Sequence, residues 1–376
     1  MDSTGFRRSL TWIPRKWSGR LLALSMSTEK LLLKLSISRI SPANIREYLY
    51  SIPGEEDINK DSIRDYLSDN VDVEKVLNLE VEPIYNHLKK KGVNIVSILS
   101  DDYPENLKTI PKPPPILFIR GEIVPEDSNA VAIIGTRRPT EYGRSVAWNF
   151  AKELASNGFT IISGLAMGID TNAHRGALEA GGRTIGVIGC GIDRVYPSSN
   201  KRLAHMIADG NGAVISDFPP GTPPLKYNFP LRNRIISGLA KGIVAVQAAS
   251  RSGVFSTVNW ALDYGRDVFA VPGNITARQS EGTNRLIKDG AIPVTSPEDI
   301  LNYFGFSSSV KEEKEVELPG DEQRVFDAIG DEGARIEEIC DATGFKPQQV
   351  NSILLLLELK GFVREIGGGR YIRNRP

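Results

Sequence analysis

Cysteine is nearly missing from this chain: 376 residues hold only two, Cys190 and Cys340. Two thiols so far apart in sequence build neither a disulfide framework nor a thiolate metal cage, and they suit a reducing compartment. Histidine is as scarce, with His87, His174 and His205 alone, and no HExxH spacing joins them into a metal site. No metal and no cofactor is expected. Apolar runs stop at strand length, so no membrane association is expected and the cytoplasm is the natural place for the chain. Charge of one sign is missing too, because 46 basic residues balance 46 acidic ones. A polyanion would have to be met by a local patch, since no global field draws it in.

What is present is 40% hydrophobic content over a length that allows two or three domains. Residues 1–26 carry five bases (Arg7, Arg8, Arg15, Lys16, Arg20) and one acid, Asp2. They read as a transit segment or as a disordered extension from an upstream start codon, with Met26 the natural first residue. Over 27–90, Leu31, Leu32, Leu35 and then Ile45, Tyr48, Leu49 recur at helical spacing, broken at Ser41-Pro42 and Pro53-Gly54. A small helical domain of the helix-hairpin-helix or SAM-like kind is expected there. Two strands, Val93–Leu99 and ILFIRG, flank a segment too proline-rich for helix.

From residue 130 to about 305 the texture changes. AVAIIG, FTIISG, RTIGVIG, GAVISD, GIVAVQA and DVFAVPG end in turn residues, and most precede an amphipathic stretch. Apolar runs buried on both faces and separated by helices indicate a doubly wound, mostly parallel α/β sheet over 91–305. Residues 306–320 read as a linker, and 321–376 as three helices with a Gly367–Gly369 hairpin, a winged-helix pattern.

The first strand of the parallel set runs into Gly135-Thr136-Arg137-Arg138-Pro139 rather than GxGxxG. An arginine beside a helix start, at the edge where open α/β sheets bind ligands, suits a phosphate. The same edge gathers Ser163-Gly164, Ser252-Gly253 and Gly282-Thr283-Asn284, small residues paired with a hydroxyl or amide. Further along, Phe229, Arg232, Asn233 and Arg234 follow Tyr227, offering cations for phosphates and aromatic faces for bases. Single-strand binders use that combination. Over 131–290 there are 18 bases against 11 acids, so this region leans positive although the whole chain does not. Arg137, Arg232 and Arg234 are expected to meet on one rim.

VAIIGTRRPTEYG, ISGLAMGIDTNAH, GVIGCGIDRVYPSSN, FPLRNRIISGL, VPG and EGTNRLIKDGA follow one another as in the DNA-processing protein A (DprA/Smf) family, which this sequence resembles over roughly 92–300. The resemblance implies an extended Rossmann-like fold that binds single-stranded DNA, forms a homodimer and delivers the strand to the RecA recombinase in DNA uptake. It carries phosphate-binding roles onto Arg137, Ser163-Gly164, Lys201, Arg232 and Arg234. The chain departs from the family at Gln247, where a glutamate is usual, and at Val254–Val258.

An enzymatic reading is the alternative. Related phosphoribohydrolases that release cytokinins use PGGxGTxxE, but here Asn274 follows Pro272-Gly273, and Leu286 stands where that glutamate would be. Asp170 and His174 are the nearest acid–base candidates; Asp170 reads as a helix N-cap and His174 as its packing neighbour. Asp193 and Asp217 read as turn or cap residues. No catalytic residue is expected. A winged-helix regulator of duplex DNA is a third reading, with Lys346, Gln348, Gln349 and Asn351 on the third helix and Arg364, Arg370 and Arg373 on the wing. Ten acids against eight bases over 320–376 oppose it, and Leu354–Leu357 are expected to be largely core.

Overall fold

The computed structural model describes residues 26–38, 40–67, 71–306, 318–330, 333–360, 362–366 and 369–373. Most of the basic amino-terminal stretch and of the expected linker, and Gly367-Gly368, lie outside the described residues. Two units result, one up to Phe306 and one from Ser307 onward.

The first unit opens with α1 (Met26–Ile37), α2 (Pro42–Ser51), α3 (Lys60–Leu67), α4 (Val73–Leu77) and α5 (Glu82–Lys90). Their starts follow local chemistry: Ser41 caps α2 by accepting from Asn44 N at 3.2 Å, with Pro42 in the first turn, and Asp72 caps α4. Leu32, Leu33, Leu35, Leu49 and Leu88 are wholly buried, each contributing about 1.5–3 kcal/mol. The sequence suggests a separate helical domain over 27–90, whereas these leucines share one continuous core with the strands that follow. A bundle this small has too little surface to bury alone, so it closes its core on the sheet.

Strands β1 (Val93–Ser97), β2 (Ile116–Gly121), β3 (Ala130–Ile134), β4 (Thr160–Ser163), β5 (Thr184–Val187), β6 (Gly212–Ser216), β7 (Gly242–Ala245), β8 (Asp267–Ala270) and β9 (Ile292–Pro293) form one sheet. Its order is β1-β2-β6-β5-β4-β3-β7-β8-β9. Pairings from β6 through β9 are parallel, and β2 joins β1 and β6 antiparallel. Helices α6 (Glu105–Lys108), α7 (Glu141–Ser156), α8 (Ile169–Glu179), α9 (Lys201–Asp209), α10 (Asn228–Leu239), α11 (Val254–Asp263), α12 (Glu281–Lys288) and α13 (Pro297–Tyr303) complete the unit. Side chains alternate across β3: Val131 and Ile133 enter a core with Ala147, Phe150 and Leu154 of α7, while Ala130, Ala132 and Ile134 join the opposite core. The doubly wound, mostly parallel sheet read from the sequence is therefore present. From β3 the chain crosses to β4 on one side, and from the adjacent β7 to β8 on the other. The loops part above that pair, at the edge where such sheets bind ligands.

The second unit contains α14 (Gly320–Ile329), β10 (Ala334–Arg335), α15 (Ile336–Thr343), α16 (Pro347–Leu359), β11 (Val363–Glu365) and β12 (Arg370–Arg373), with strand order β10-β12-β11. It is a winged helix with one more strand than the sequence suggests. Leu354 and Leu357 are fully buried, but Leu355 and Leu356 are 59% and 46% exposed. The leucine run is half core, because only residues three or four apart share a helix face.

Candidate nucleic-acid interface

Above β4 the chain turns through Gly164-Leu165-Ala166-Met167-Gly168 before α8 begins. Leu165 holds φ at 54°, a left-handed conformation costly for a side chain of this size. Its neighbours fix it from several directions. Asp170 Oδ2 accepts from the amides of Gly164 and Ala166 at 3.1 and 3.3 Å. Asn200 Nδ2 donates to the carbonyls of Leu165 and Ala166 at 2.8 and 3.2 Å, and Thr171 Oγ1 donates to Ala166 at 2.7 Å. Arg232, from α10, donates to the Gly164 carbonyl at 2.7 Å and also to Val187 of β5. Gly168 sits at φ 85°, where a Cβ would lie 2.4 Å from the Thr136 carbonyl; only glycine lets the two loops touch.

Burial shapes the charges of this floor. Desolvation raises the Asp170 carboxyl pKa while the Arg232 charge opposes the rise. Arg232 itself is lowered to about 10 by burial, partly offset by Asp170, so it stays cationic at neutral pH. Asp170 is not the expected N-cap, since Gly168 occupies that position in α8; its carboxylate instead braces the loop.

A pocket opens over this floor, lined by Arg137, Gly164, Ala166, Met167, Tyr196, Pro197, Phe229 and Arg232. The Arg137 guanidinium lies 5.4 Å from the centre of the Phe229 ring. Phe229 and Tyr196 stand 5.7 Å apart at 39°. Gly189 makes room for Phe229, because a Cβ there would come within 3.0 Å of the ring. Tyr196 and Met167 are about half exposed, so apolar surface faces solvent beside the cation. Arg137, Arg138, Lys201 and Lys226 are exposed and have no acidic partner among the described residues.

Residues 94–305 match the DNA recombination-mediator protein A family, and residues 310–369 match the DprA winged helix domain. The chain belongs to the DNA recombination-mediator protein A family. It is 40% identical over 299 residues to protein Smf of Escherichia coli (strain K12), covering 77% of this chain and 79% of that one. Among solved structures it resembles DNA processing protein A from Streptococcus pneumoniae, with TM-score 0.63 and 37% identity over 75% of this chain and 99% of that one. It also resembles DNA processing protein A from Helicobacter pylori, described with its single-stranded DNA binding mode, at TM-score 0.51 and 32% identity over 56% of this chain and 95% of that one.

In this member of the family the structure gathers only part of the set picked from sequence. Arg137, Gly164, Phe229 and Arg232 meet in the pocket, but Arg232 forms its floor instead of reaching outward. Arg234 does not join them: it donates to Asp217 Oδ2 at 2.6 Å and to the Lys112 carbonyl at 2.7 Å. Two residues along a helix turn a side chain through about 200°, which separates the two arginines. Asn233 accepts from Arg232 Nε at 3.3 Å. Ser163 is buried and donates to the Ile133 carbonyl at 2.7 Å. Thr283 is buried and donates to Ser280, while Asn284 brackets Gly273 through both its amide and its carbonyl. Gly135 and Thr136 lie under the rim, where the Thr136 amide donates to the Gln247 carbonyl at 2.8 Å. The Gly282 amide donates to the Ala248 carbonyl at 2.7 Å. Ser252 accepts from the Val254 amide, and Gly253 is exposed at the start of α11. The expected row of free hydroxyls is therefore absent at Ser163 and Thr283, because buried polar groups next to strand ends are taken up by backbone partners.

Other expectations resolve the same way. Gln247 is buried, accepts from the Thr140 amide at 3.0 Å and donates to Thr140 Oγ1 at 2.8 Å. The neutral amide is used in the cap of α7. Asp193 accepts from the Gly221 amide at 2.8 Å, as a turn residue should. Asp217 is tied to Arg234, an ion pair instead of a cap. Tyr196, Met167, Lys226 and Asn200 are not among the site residues that the sequence singles out. The first three occupy the same strand-exit edge as Arg137, which was the available signal; Asn200 had none, since its role depends on a loop folded elsewhere. In the second unit, Arg373 donates to the Phe326 carbonyl at 2.9 Å and Arg370 to Gly333 at 3.2 Å, so these wing bases have partners within the fold.

Proposed function

We propose that this chain binds single-stranded DNA at the strand-exit rim and serves as a recombination mediator. In this reading it acts in the cytoplasm as a homodimer, passes the strand to the RecA recombinase and breaks no bond itself. One observation carries it: Arg137 lies over Phe229, beside exposed Tyr196, above a loop clamped by Arg232. A flexible polyanion is held by cations that follow its backbone and rings that accept any base, and this rim offers both. The single-strand binding described for the Helicobacter pylori relative supports the same reading. Support for leaving bonds intact comes from Asp170 and His174, which are buried and bonded within the fold.

The test is anisotropy with labelled oligo-dT at two salt concentrations. Arg137→Ala is expected to weaken binding about tenfold, equally for different base compositions, and to reduce the salt slope of log K by about 0.7. Unchanged affinity would remove the assignment. Sedimentation of the free protein checks the dimer, and the rate of RecA filament growth on single strands checks delivery.

A further inference from the structure

Beyond the pocket, the strand-exit edge continues across the β3/β7 switch point, and so does its free positive charge. Arg251 stands in the loop after β7 and Arg278 in the loop after β8. Both are exposed, and neither side chain has an ion pair or hydrogen bond among the described residues. Several other arginines in the unit are answered by acids, Arg120 by Asp209, Arg144 by Glu141, Arg183 by Asp127 and Arg234 by Asp217, whereas Arg137, Arg138, Arg175 and Arg202, like Arg251 and Arg278, have no ion pair among the described residues. The two loops are tied at their bases, since the Ala248 amide donates to the Gln279 carbonyl at 2.8 Å and the Gly282 amide to the Ala248 carbonyl at 2.7 Å. Arg278 adjoins that tie and Arg251 lies three residues past it, so both cations leave from one anchored place. In the β8 loop Ile275 is 87% exposed. Three residues before Arg278 in the same loop, it offers a base apolar contact while the cations meet phosphates.

We propose that Arg251, Arg278 and Ile275 form a second subsite for the same strand, so that DNA crosses the switch point from the Phe229 pocket toward β8. This rests on the pocket being a single-strand site. The pocket floor follows β4 and Arg278 and Ile275 follow β8, three strand intervals apart, about 14 Å at about 4.8 Å each, with Arg137 after β3 and Arg251 after the adjacent β7 between them. That distance exceeds what one nucleotide covers, so only longer strands feel both subsites.

Full-length wild type, Arg137→Ala and the double variant Arg251→Ala/Arg278→Ala are compared by anisotropy, on oligo-dT of about 2 and about 20 nucleotides at two salt concentrations. Both second-subsite arginines are exposed, and matching melting temperatures verify that the variants fold. The double variant is expected to bind the short strand like wild type and the long strand about tenfold more weakly, with the salt slope reduced by about 1.4 for two lost phosphate contacts. Unchanged affinity and slope on the long strand, while Arg137→Ala weakens both strands, overturns the second subsite alone. Equal loss on both lengths also overturns it, because the arginines would then belong to the first pocket. If Arg137→Ala binds both lengths normally, the pocket reading fails and the second subsite goes with it.

Discussion

His174 is fully buried, and its Nδ1 lies 2.7 Å from Thr184 Oγ1. The Thr184 hydroxyl spends its proton on the Ile161 carbonyl at 2.7 Å, so His174 must donate from Nδ1. That leaves Nε2 as a lone pair without a partner among the described residues. Burial, helped by the nearby Arg232 charge, lowers its pKa from 6.5 to about 3. Between those values the unfolded chain takes a proton that the fold refuses. Stability is therefore full above about pH 6.5 and falls with decreasing pH, at about 1.4 kcal/mol per pH unit. Asp170, with its pKa raised by burial, has the opposite sign and offsets part of the loss at the acid end. Urea unfolding at pH 6.5 and pH 5 should show wild type losing about 2 kcal/mol from this group, and His174→Gln losing markedly less. Equal losses in the two proteins would exclude His174 as the source. The sequence flagged this residue beside Asp170, but its tautomer depends on a threonine from the next strand.

At the scale of elements, the turn after β4 is held by hydrogen bonds from several side chains. A non-glycine residue at positive φ persists when surrounding bonds determine it more strongly than its own preference does. Asp170, Thr171, Asn200 and Arg232 supply those bonds from three helices or their approaches. Asn200→Ala would leave two carbonyls of the turn without the Asn200 amide and should cost about 2–3 kcal/mol. Because the turn lines the pocket, oligo-dT affinity should fall by severalfold in the same variant. A variant that is less stable yet binds DNA normally would separate the turn from the site. The winged helix carries a related lesson. Leu354–Leu357 read as one apolar block, but helical geometry sends Leu354 and Leu357 inward and leaves Leu355 and Leu356 exposed.

For the molecule as a whole, the pocket and the proposed second subsite belong to the unit that ends at Phe306. That unit has its own cores, on both faces of its sheet. A chain stopped after Phe306 should fold cooperatively and keep oligo-dT affinity within about threefold of the full chain, as expected for a domain with its own core. Circular dichroism melts and anisotropy check this, and a folded truncation that no longer binds would bring the winged helix into the site. Zero net charge gives the molecule little long-range pull on DNA. Its salt dependence should accordingly follow the few cations of the rim.

The sequence alone determined the parallel sheet, because apolar runs such as AVAII are buried on both faces and leave no other packing. It also determined the winged helix, the family and the edge on which Arg137 would stand, since residues after parallel strands must emerge on one side. Tertiary structure decided which polar side chains remain free there. Ser163, Asn284 and Arg234 look available in one dimension, but backbone groups or acids from other parts of the chain claim them, while Thr283 is spent on the Ser280 carbonyl one turn back. Whether a donor is spent depends on what folds against it, and local pattern carries no record of that.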